Sequence, residues 1–142
     1  MAWLAVLGTL LGALVGAGSA LATQQMAARF QRRADLRLER KKQIDAFLKA
    51  AQKAERIAED RDKCDHSTKA QTADNLWLHH KRLALICLPD LVAPLNDLAN
   101  ALANAIWKGP PEGVPVWEHV AGQTGRFLDA AGHEIAWTSR RR

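Results

Sequence analysis

The residues of this chain best suited to chemistry are its histidines and cysteines and the acids beside them. Cys64-x-His66 holds a thiol and an imidazole two residues apart, and His79 and His80 are neighbours. Glu118-His119 and His133-Glu134 each join a carboxylate to an imidazole. Zinc sites draw on Cys and His in pairs at set spacings, such as C-x2-C with a second pair further on. Cys64-x-His66 has no second pair, and one helix cannot aim both His79 and His80 at the same ion. A metallohydrolase helix reads H-E-x-x-H, whereas the residue four beyond His133 is Trp137. Gly16-Ala17-Gly18-Ser19-Ala20 matches neither a nucleophile elbow nor a phosphate loop, since no strand precedes it and it lies in an apolar run. The residues therefore lead to the expectation of no enzyme activity, no metal and no cofactor.

The segments that carry these residues read as helices. Gln24 to Glu59 is rich in Ala, Arg, Gln, Lys, Glu and Leu, all strong helix formers. Within it Ile44, Phe47, Leu48, Ala51, Ala54 and Ala58 recur at the 3-4 spacing of an apolar stripe. Arg37 and Arg40 stand where that stripe would extend, so the turns before Ile44 are expected in water. Residues 60–71 read as a turn, with Thr68 or Thr72 capping the next helix. That helix gathers Leu76, Trp77, His80, Leu83, Ala84, Cys87 and Leu88 on one face, with Leu78 and Leu85 opposite. Apolar on two sides, it is expected to be central in a bundle or shared with a partner. His80, on the apolar phase, is expected to be a hydrogen-bonded core histidine.

Pro89 breaks the chain, and Asp90 is predicted to cap a third helix with the stripe Leu91, Leu95, Leu98, Ala99, Leu102 and Ile106. Asn96, Asp97, Asn100 and Asn104 fall opposite, and Pro94 sits in the first turn, where a missing amide is tolerated. A loop runs from Lys108 to Pro115. A fourth helix turns Trp117, Val120, Thr124, Leu128, Ala131 and Ile135 inward, and its glycines suggest a break near Gly122. Neither strand-like alternation nor a repeat period is present.

Ahead of these helices, Ala2 to Ala22 is apolar and uncharged. About 20 such residues at about 1.5 Å each cross a hydrocarbon core of about 30 Å. Just beyond, Arg29, Arg32, Arg33, Arg37, Arg40, Lys41 and Lys42 face only Asp35 and Glu39, a surplus of five that equals the whole net charge of +5. This asymmetry predicts a single-pass signal-anchor with the N-terminus outside and the C-terminal part at the cytoplasmic face of the membrane. Trp3 would mark the outer interface, and Arg29 would snorkel at the inner one. Those seven basic residues are the expected contacts to anionic headgroups, at about 1 kcal/mol each. Nucleic acid is not an expected partner, because a binder would spread its surplus over a folded face. The alternative is a cleaved signal peptide ending at Ala20-Leu21-Ala22, against which stand the missing basic n-region and a run beyond the usual 7–15 residues. In the cytoplasm Cys64 and Cys87 would stay reduced, whereas in an exported chain they could pair.

Gly8, Gly12, Gly16 and Ala20 lie four apart and form one small-residue groove, a glycine zipper through which membrane helices associate. A homo-oligomer is expected from it.

Val6-Leu7-Gly8-Thr9-Leu10-Leu11-Gly12-Ala13, Gly16-Ala17-Gly18-Ser19-Ala20, the charged helix that follows and Phe127-Leu128-Asp129-Ala130-Ala131 come in a suggestive order. Over most of its length the chain resembles a loose group of short bacterial single-pass membrane-anchored helical proteins. The resemblance implies an anchor with a cytosolic helical domain, and it carries over no catalytic residue. The expected fold is all-α, a transmembrane helix continuing into a three- to four-helix cytoplasmic bundle. Its expected parts are an anchor (1–28), a basic juxtamembrane helix (29–43), the bundle (44–138) and a basic tail (139–142). The expected role is oligomerisation or the docking of a cytosolic protein partner. The alternative is a small holin-like, membrane-perturbing protein assembled through the glycine stripe.

Overall fold

The computed structural model describes the backbone of residues 2–139 and the side chains of residues 20–136. The described residues hold four α-helices and no strand: α1 (Ala2–Glu59), α2 (His66–Ile86), α3 (Pro89–Lys108) and α4 (Val116–Ser139), with a 3-10 turn at Arg61–Lys63. The chain is all-α, as its periodicity predicts. It divides into two compact units, 1–36 and 37–142, so the expected juxtamembrane segment 29–43 is shared between them.

In the first unit every described side chain is exposed, Leu21, Met26 and Phe30 included. Among the described residues no helix is long and apolar enough to cross a membrane. The expected span falls, apart from Ala20, Leu21 and Ala22, on residues whose side chains lie outside the described set. Trp3, Gly8, Gly12 and Gly16 lie outside it too, as does the tail Arg140–Arg142.

The second unit is a four-helix bundle. From Arg37 on, α1 turns Ile44, Phe47, Ala50, Ala51, Ala54 and Ala58 into the core. α3 contributes Leu91, Leu95, Leu98, Ala99, Leu102, Ala105 and Ile106, all buried, in keeping with its stripe. Each of these leucines stabilises the fold by about 1.5–3 kcal/mol on leaving water. Short connections force antiparallel neighbours, and the cross-helix contacts agree. Phe47 meets Phe127 on α4 with ring centroids 5.1 Å apart, and Arg40 and Glu134 meet nearer the opposite ends of the same two segments.

Four local expectations need correction. Asp65, not Thr68 or Thr72, caps α2: the Thr68 amide donates to its Oδ1 at 3.1 Å. That bond holds the Asp65 carboxyl below its ordinary range. Thr72 is instead buried in the helix and donates from Oγ1 to the Thr68 carbonyl at 2.8 Å. Asp90 makes no capping bond at α3, which starts at Pro89 with Leu88 as the N-cap residue. α4 runs unbroken through Gly122 and Gly125, and its buried face is Val116, Val120, Phe127, Ala131 and Glu134. Trp117 and Leu128, expected inside, are 57% and 48% exposed.

The α3–α4 loop depends on Gly109, whose φ of 81° and ψ of 165° lie in a region essentially confined to glycine. A Cβ there would also overlap the Arg61 guanidinium. Gly109→Ala is expected to destabilise the bundle by about 1–3 kcal/mol, measured as a lower urea midpoint at unchanged slope.

Candidate functional site

The corner between α2 and α3 is two residues long, Cys87 and Leu88, and the other two helices both reach into it. Arg40 of α1 donates from Nε to the Ile86 carbonyl at 2.7 Å, satisfying an acceptor that the end of α2 leaves without a helical partner. Glu134 of α4 accepts the Leu88 amide at 3.2 Å, so an acid about five helical turns along another helix satisfies the backbone donor of the residue that precedes α3. Arg40 Nε and Glu134 Oε1 stand 3.7 Å apart and close the arrangement. The Arg40–Glu134 pair thus ties the α2–α3 corner to both other helices.

Glu134 is only 4% exposed. Burial pushes its carboxyl up from the ordinary glutamate range, opposed by the Leu88 amide and the Arg40 charge. Oε2 is buried without a hydrogen-bond partner. The neighbouring Cys87 thiol is also pushed up, by burial first and then by the Glu134 charge, although Arg40 works against this. Cys87 and Cys64 are both free thiols.

The sequence offers a signal for this pair. Arg40 precedes Phe47 by seven residues and Glu134 follows Phe127 by seven, so each charge extends an apolar stripe at its open end. Opposite charges on two such stripes are what a buried pair requires. Sequence reasoning saw the phase of Arg40 but placed its turn in water, and it saw Glu134 only as a neighbour of His133.

Among the other singled-out groups, His80 is a partly buried histidine as expected, its Nε2 2.6 Å from Asn96 Oδ1 and its ring edge-on to Trp77. Asn96 is therefore turned toward α2, not to the outer face of α3. The Nε2–H donates to the oxygen, which leaves Nδ1 buried without a partner. His66 meets Trp107 with ring centroids 5.2 Å apart and planes tilted by 48°. Among the described residues no three His, Cys, Asp or Glu side chains are grouped to hold a metal ion. Glu118 and His133 are exposed, and Leu78 and Leu85 face outward at 46% and 85% exposure.

The basic segment splits. Arg29, Arg32, Arg33, Lys41 and Lys42 are exposed, and Phe30 stands exposed between Arg29 and Arg32. Arg37 is half-buried, and Arg40 is engaged by Glu134 and Ile86. Ala20, the one described member of the small-residue stripe, is exposed.

The fold and this corner define an all-helical bundle in which a half-buried arginine pairs with a buried glutamate. Comparison with protein-family models, curated proteins and solved structures finds no match to this chain.

Proposed function

We propose that this is a non-enzymatic, membrane-anchored helical bundle, an oligomerisation or partner-docking module at the inner face of the cytoplasmic membrane. The observation that carries it is the charge distribution. An uncharged apolar run from Ala2 to Ala22 is followed at once by the segment that holds the entire net charge of +5. That is the pattern of a span retained with its basic flank inside. The exposure of Arg29, Arg32, Arg33, Lys41 and Lys42 supports contact with anionic headgroups, which an exposed basic side chain can reach. Arg40 drops out of that contact set, since Glu134 and Ile86 engage it. Gly8, Gly12, Gly16 and Ala20 supply the face on which two such spans would approach.

Alkaline carbonate extraction of membranes from cells making the full chain tests the anchor. Retention in the pellet with an intact N-terminus is the expected result. A soluble chain, or a mature N-terminus at Thr23, would overturn it. Leucine at Gly8, Gly12 and Gly16 together is expected to reduce the oligomer size in detergent, and an unchanged oligomer would remove the stripe as an association face.

A further inference from the structure

The small-residue face of α1 continues past the apolar run. Gly8, Gly12, Gly16 and Ala20 lie four apart, and Thr23, Ala27, Phe30 and Ala34 follow at spacings of three, four, three and four. α1 runs unbroken through all of them, so helical phase keeps them on one face about 40 Å long. From Ala20 to Ala34 every side chain of that face is exposed, and Phe30 is 68% exposed. Alternating steps of three and four make the kind of seam on which two helices pack. The charges keep clear of it. Arg29 and Arg32 fall on the back of the helix, Met26 and Arg33 along one edge of the seam, and Gln24, Gln31 and Asp35 along the other.

We propose that Ala20, Thr23, Ala27, Phe30 and Ala34 form a docking seam for the same face of a second copy of this chain, in parallel. The inference rests on the anchored, oligomeric reading above and carries its contact about 18 Å beyond Ala22. Two anchored copies share one orientation, so equal residues meet at equal height. A rigid helix that turns its glycine stripe to a neighbouring span turns Phe30 to the same neighbour, not to lipid. The alanines let the two backbones approach, and the two Phe30 rings leave water against each other. Two-fold symmetry sets one edge of the seam against the other. Arg33 therefore meets the edge of the second copy that holds Gln31 and Asp35, not its own equivalent, and that charge complementarity suits a second copy.

Copper–phenanthroline oxidation of lysed cells making the full chain, with Cys64 and Cys87 replaced by serine, tests the seam through single cysteines. Ala27→Cys and Ala34→Cys lie on it, whereas Ala28→Cys and Arg32→Cys lie off it. The seam positions are expected to give disulfide-linked dimer at least fivefold above the other two. Equal yields, a reversed pattern or no disulfide at any position would overturn the proposal. A Phe30→Cys thiol shielded from a water-soluble maleimide, yet forming no disulfide, identifies lipid or another protein on this face and overturns it too. Carbonate extraction of the same cells reports the anchor separately. A periodic disulfide pattern in a chain that extracts keeps the seam and removes the anchor, whereas retention with an aperiodic pattern keeps the anchor and removes the seam.

Discussion

Phe127→Ala is expected to destabilise the bundle by about 3–5 kcal/mol, whereas Leu128→Ala, one residue on, should change it by less than about 1 kcal/mol. Phe127 is fully buried and its ring lies 5.1 Å from that of Phe47, itself fully buried, at an interplanar angle of 54°. This tilted geometry suits the ring quadrupoles and adds about 0.5–1.5 kcal/mol beyond burial. Truncation leaves a cavity on the α1–α4 seam, lined by Phe47 and by helical backbone that cannot collapse inward. A domain of this size has about 5–15 kcal/mol of stability in all, so the loss threatens the fold. Urea unfolding followed by circular dichroism measures both substitutions. Were Leu128→Ala the costlier change, α4 would be rotated from the orientation described.

That pair of residues also shows where sequence is mute. The apolar and small residues of α4 cover nearly half its circumference, from Val116 and Phe127 round to Leu128 and Gly132. Periodicity finds such an arc but cannot say which half is inward. The sequence-based face, Trp117, Val120, Thr124, Leu128, Ala131 and Ile135, shares Val120 and Ala131 with the buried one but is rotated outward by less than one residue's step. α3 had no such ambiguity, because its Asn and Asp residues bound a narrow stripe, and every member of that stripe is buried. The α1 stripe was equally legible from Ile44 onward, with Ala50 the one buried position left out. Caps were harder, since Asp65, Thr68 and Thr72 all carry oxygens that can accept an amide. The partner of the Leu88 amide ahead of α3 was out of reach, because it lies 46 residues away on another helix. The Asn96–His80 bond escaped for the same reason, a tertiary partner overriding helical phase.

Arg40→Ala is expected to destabilise the bundle by about 2–3 kcal/mol, while Glu134→Gln is expected to be tolerated, a contrast that follows from burial. Removing the guanidinium leaves the Ile86 carbonyl without its donor and Glu134 as a buried acid without its counter-charge, and stranded buried groups cost more than the net worth of the bonds they made. The figure lies below that for a fully buried pair because Arg40 keeps 22% of its side-chain surface and the contact is 3.7 Å long. Glutamine keeps an oxygen for the Leu88 amide and sheds the charge that burial penalises. The two variants also separate in their response to pH. Because burial raises the Glu134 carboxyl in the folded state, the bundle holds more protons than the unfolded chain between the ordinary glutamate pKa and the raised one. Stability from this group is therefore full below the ordinary value and falls as pH rises through the raised one, opposite to an exposed, salt-bridged acid. The difference in unfolding free energy between the wild-type chain and Glu134→Gln, measured from pH 4 to 8, should move in favour of glutamine with rising pH. Arg40→Ala should steepen the decline, since the charge that opposes the raised value is gone. A wild-type-minus-glutamine difference flat across that range would mean that Glu134 titrates as if in water, and the corner would then not be the closed junction of four helices that its hydrogen bonds describe.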